Sequence, residues 1–98
     1  MGLAPQQKGP VFTGQVKDMK LTDYLAPAAL YLGSDHATAL AQGPRNFSTA
    51  AKAISFAMEH AAPVSLRGAR LVIGKRQFNG AQLKAMHGSA DFQAARLH

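Results

Sequence analysis

The chain has 98 residues and a net charge of +6, and its apolar content of 47% is made up of 19 alanines together with larger side chains that include five Phe, two Tyr and no Trp. That suffices for one domain with a modest core, and falls short of an enzyme's core plus a walled substrate cavity. With no cysteine, disulfide scaffolds, thiolate zinc sites, iron–sulfur clusters and thiol catalysis are excluded together.

Residues 1–20 hold glycines and prolines without a helical or strand period, and read as a disordered or loosely attached arm. Val11, Phe12 and Val16 are the residues that would pin part of it to a core. The domain is expected over 21–98. Across residues 21–33 two readings stand. Leu21, Tyr24, Leu25, Ala28, Ala29 and Leu32 fall at helical spacing, but Pro27 would interrupt that helix. A strand over 28–32, with Leu30 and Leu32 on one side and Tyr31 on the other, avoids the conflict and is preferred. Residues 34–46 read as a long connection ending in Gly43-Pro44.

A helix is predicted over 48–61, with Ser48 as N-cap, Phe47 just outside, and Pro63 stopping it. Ala50, Ala51, Ile54, Met58 and Ala61 form its apolar stripe, while Phe56 points away from that stripe and requires a cover. Residues 69–78 read as a hairpin turning at Gly74-Lys75 in the type II′ manner. That turn pairs Ile73 with Arg76, Val72 with Gln77 and Leu71 with Phe78. Leu71, Ile73 and Phe78 then face the core, and Arg70, Val72 and Gln77 face away. The last predicted helix, 80–88, starts at an Asn79/Gln82 capping box with a Phe78–Leu83 staple and stops at Gly88; Leu83, Met86, His87 and Ala90 share a side. The expected class is α+β, in the order arm-β-α-ββ-α. A two- or three-stranded, mainly antiparallel sheet would be packed by two short helices.

Phe47-Ser48-Thr49-Ala50-Ala51, Ala53-Ile54, Phe56-Ala57-Met58-Glu59, Leu66-Arg67-Gly68-Ala69, Phe78 and Leu83 resemble a group of short uncharacterised bacterial proteins over residues 47–92. The resemblance implies the same α-ββ-α order and carries no known activity. Residues 22–35 look locally like short-chain dehydrogenases. The glycine-rich turn and the Tyr-x-x-x-Lys pair that such chemistry needs are missing, since Tyr24 leads to Ala28 and Tyr31 to Asp35, so the likeness is coincidental.

The histidines do not fall at metal-ligand spacing. Asp35-His36 lie in the long connection, Glu59-His60 at a helix end, His87 in the last helix and His98 at the terminus, and no His-x-His occurs. His60 suits a helix C-terminus as a cation, and His87 a half-buried helix position. Ser48, Ser55, Ser65 and Ser89 lack a nucleophile-elbow context, and Gly74-Lys75-Arg76 lacks the rest of a phosphate loop. Neither an enzyme nor a cofactor is expected. No apolar run reaches the length of a signal peptide or a membrane span, so a soluble cytoplasmic protein without membrane contact is the expectation.

Charge is uneven. Residues 63–98 carry Arg67, Arg70, Lys75, Arg76, Lys84 and Arg96 against Asp91 alone. Such a balance keeps a small protein soluble and also attracts anionic partners. Two functions follow. The first is a small non-enzymatic interaction module, self-associating or partner-binding, with Phe56 and Val72 on its surface. The second is binding of the nucleic-acid phosphate backbone through Arg67, Arg70, Lys75, Arg76 and Lys84.

Overall fold

Gly74 opens the hairpin turn at φ +60° while Lys75 stays on the negative side, the signature of the type II′ turn expected there. Strands Arg70–Ile73 and Arg76–Asn79 flank it, in the predicted register: Ile73 opposite Arg76, Val72 opposite Gln77 and Leu71 opposite Phe78. In the computed structural model, which describes residues 16–97, these are the third and fourth strands of a four-stranded antiparallel sheet. The first strand, β1 (Ala28–Tyr31), confirms the strand reading after Pro27. The second, β2 (Arg45–Phe47), lies in what the sequence presented as a connection. With β3 and β4 for the hairpin strands, the sheet order is β2-β1-β3-β4.

Five α-helices accompany the sheet among the described residues: α1 (Leu21–Tyr24), α2 (His36–Gln42), α3 (Ala50–Glu59), α4 (Gly80–His87) and α5 (Ala90–Arg96), with 3-10 turns at Val16–Asp18 and Pro63–Leu66. The fold is α+β, as expected, but the strand count and the order differ. The expected connection 34–46 holds α2, capped by Asp35 through the Thr38 N–H at 2.7 Å and ended by Gly43 at φ +82°, and β2 follows at once. The helix expected from Ser48 starts one residue later, because the Thr49 hydroxyl is the one that accepts from Lys52 N. The last predicted helix ends at His87. The chain then turns into α5, whose N-cap Ser89 accepts from Phe92 N at 3.1 Å, and Ala90 is exposed on that new helix.

Opposed residues of antiparallel strands share a face. Ala28, Leu30, Leu71, Ile73 and Phe78 point to one side and are buried there with Ile54, Ala50, Ala51, Ala53 and Ala57 of α3, Leu83 and Met86 of α4, and Phe92 and Ala95 of α5. Met19, from the expected arm, is buried in the same cluster, and Val16 packs against it. The rest of that arm, including Val11 and Phe12, lies outside the described residues. The opposite face of the sheet presents Ala29, Asn46, Tyr31, Arg70, Val72 and Gln77, none of them buried.

Close backbone approach fixes the end of the sheet. Gly68 N donates to Gly33 O, and Gly33 N to Ser65 O. A Cβ on Gly68 would fall 2.1 Å from the Asp35 carbonyl, and one on Gly33 2.5 Å from Ala39 N. Only glycine lets α2 seat this tightly.

Candidate functional site

Phe56 is the hub of a concave region between α3, β2 and α5. Lys52, Phe56 and His60 succeed one another at intervals of four along α3, so they line one stripe of the helix. The cover that Phe56 requires comes from β2: the Phe47 ring lies 5.6 Å away and the Arg45 guanidinium 5.1 Å from the ring centroid, with the His60 ring at 6.0 Å. Half-buried in this stack, Phe56 packs against the core rather than standing off it.

Two cavities meet at this stack. One, of about 490 Å³, is lined by Leu25, Phe47, Ala51, Phe56 and Ala95 as apolar wall and by Lys52, His60 and Arg96 as basic side chains, with Thr49 and Ser55 hydroxyls between. The other, of about 390 Å³, lies beyond Phe56 and His60 and is bordered by Arg45, Gln42, Gly43 and Leu32. Phe56 and His60 line both, so the two form one groove with a shared ridge. Among the described residues no carboxylate lines either part. Glu59, next to His60 in the chain, is engaged with Arg96 at 3.0 Å and with His87 Nε2 at 3.1 Å. The hydrogen bond to His87, then the charge of Arg96, hold its carboxyl below the ordinary range. Lys52 Nζ donates to the Ser48 hydroxyl, at 3.1 Å.

The residues expected to form a basic patch are spread over different surfaces. Arg70 lies on the open sheet face with its guanidinium over the Tyr31 ring at 5.8 Å. Val72 shares that face, across the sheet from Phe56. Lys75 is in the exposed turn, Arg67 is exposed just before β3, and Lys84 is exposed on α4. Arg76 points to the helix side and is held by Asp23 of α1. The Lys20 N–H and then that guanidinium keep the Asp23 carboxyl below its ordinary value.

Other polar side chains are tied into the scaffold. Asp35 caps α2. Ser89 caps α5 while its hydroxyl donates to the buried Tyr24 hydroxyl at 3.0 Å. Burial pushes the Tyr24 phenol upward, against the opposing pull of that hydrogen bond. His60 stands at the C-cap of α3 and His87 is half-buried against Glu59, the positions expected for both. Among the described residues no three His, Asp or Glu side chains converge as a metal site, and no helix is long and apolar enough to cross a membrane. Comparison with protein-family models, with curated proteins and with solved structures finds no match to this chain.

Phe56 was legible in the sequence as an aromatic pointing away from the α3 core stripe. Arg45 and Arg96 were not, because they reach the groove from β2 and α5.

Proposed function

We propose that this protein is a small non-enzymatic interaction module that holds an anionic partner in the groove around Phe56. The observation that carries the reading is the lining itself: among the described residues it has apolar walls, Lys52, Arg45, Arg96 and His60, and no carboxylate. Potential complementarity of this kind selects the sign of a partner and speeds encounter. The net charge of +6 disfavours a second copy as the occupant, so a different, acidic molecule is the partner. That Thr49, a hydroxyl of the groove, caps α3 and that Glu59 is tied in ion pairs supports binding over catalysis.

The second reading, contact with nucleic-acid phosphates, is favoured by the outward placement of Arg67, Lys75 and Lys84 and by Arg70 on the open sheet face. One experiment separates the two. Isotope-labelled protein is titrated at about 50 mM salt, where phosphate contacts are strong, with poly-glutamate and with single-stranded DNA. The interaction module predicts that poly-glutamate shifts amides of residues 45–60, and that Arg45→Glu with Lys52→Glu abolishes the effect. DNA binding that Arg70→Glu with Lys75→Glu abolishes, without any poly-glutamate binding, would establish the second reading in its place.

A further inference from the structure

Resting on the reading of an anionic partner, we infer that the occupant of the groove is an extended acidic segment of another protein that seats one large apolar side chain beside Phe56. Four observations converge. The larger cavity, about 490 Å³, exists because Ala51 of α3 and Ala95 of α5 are too small to fill the space between Leu25, Phe47 and Phe56. That side of its wall is apolar and suits an apolar occupant, while Lys52, His60 and Arg96 border the other. The groove continues past the Phe56–His60 ridge into the second cavity, so a compact ligand would fill one part only, whereas a peptide backbone spans both.

Cations stand on both sides of the ridge, Lys52 on one, beside Arg96 in its ion pair with Glu59, and Arg45 on the other. Carboxylates flanking the apolar anchor would meet them in turn. Nucleic acid fits less well. Single strands bind by stacking bases on open aromatic faces, and the Phe56 ring is already taken up by Arg45 and Phe47. The chain's own residues 1–15 do not suit the cations, for Lys8 is their only charged side chain.

The test uses three peptides of equal length on the full chain. The first has a central Leu flanked by Asp and Glu. In the second Ser replaces Leu; in the third the acids become Asn and Gln. Affinities come from calorimetry and positions from amide shifts. The first peptide should bind across residues 45–60 and 95–96. Burying a Leu is worth about 1.5–3 kcal/mol, so the Ser peptide should bind roughly ten- to a hundredfold more weakly. Ser55→Leu, which fills the cavity from a half-buried position, should bring the Leu peptide down to the Ser peptide's affinity. Lys52→Glu should weaken both acidic peptides. Equal binding of the Leu and Ser peptides would overturn the apolar anchor and leave the anionic partner standing. Equal binding of the amidated peptide, or no binding by any of the three, would overturn both.

Discussion

Ile54→Ala probes the centre of the core. Ile54 is fully buried on α3, and the substitution removes three carbon atoms. At about 0.8 kcal/mol for each buried methylene-sized group, the lost transfer energy is about 2.4 kcal/mol. A cavity contribution adds to it, to an extent set by how far the surroundings collapse. Here they collapse poorly. The buried neighbours along α3 are Ala50, Ala51, Ala53 and Ala57, which have no rotamers with which to swing into the void. The loss should therefore reach about 3–4 kcal/mol, against about 0.5–1.5 for Ile54→Val. Out of a total stability of roughly 5–15 kcal/mol this is a large fraction. Urea unfolding followed by circular dichroism gives the number, with the slope unchanged if only the native state is affected. A loss under about 1 kcal/mol would refute the placement of Ile54 at the centre of the core.

Leu71→Ala should behave similarly, and combined with Ile54→Ala should depart from additivity, since both belong to one cluster. Ser89→Ala removes the α5 cap and strands the buried Tyr24 hydroxyl, at about 2 kcal/mol; adding Tyr24→Phe should recover part of the loss, and strict additivity would refute the coupling. Gly68→Ala forces a Cβ into the Asp35 carbonyl and should destabilise by about 1–3 kcal/mol, with faster hydrogen exchange in α2; an unchanged protein would contradict the close approach. Asp23 and Glu59 titrate below their ordinary values of 3.8 and 4.5. Their contribution is complete above those values and is lost as pH falls through the lower folded-state pKa values. Asp23→Asn should flatten part of that acid limb in a series of urea midpoints, and an identical limb in the variant would refute the contribution of Asp23, held by the Lys20 N–H and by Arg76.

Where local chemistry and chain neighbours settle an element, the sequence alone determined it. The hairpin register follows from Gly74 and the alternation on either side of it. The start of α4 follows from Asn79 and Gln82, whose two mutual hydrogen bonds, 2.8 and 2.9 Å, need nothing beyond four consecutive residues. Ile54, Leu71 and Phe78 were recognisable as core because their periodicity places them on one face. The same reasoning marked Phe56 as an aromatic in need of a cover. What supplies that cover is non-local. β2 is three residues long and mostly exposed, carries no alternation to detect, and is a strand only because β1 offers it a ladder. α2 and α5 are short helices of low intrinsic stability, and docking makes them persist, α2 against Gly33 and Gly68 and α5 with Phe92 and Ala95 in the core. The groove inherits this division. Phe56 was marked by residue spacing, but Arg45 and Arg96 join it only through the pairing of β2 and the packing of α5. The register likewise set Arg76 opposite Ile73, on the helix side of the sheet, and what tertiary structure added there is Asp23 of α1, which holds it.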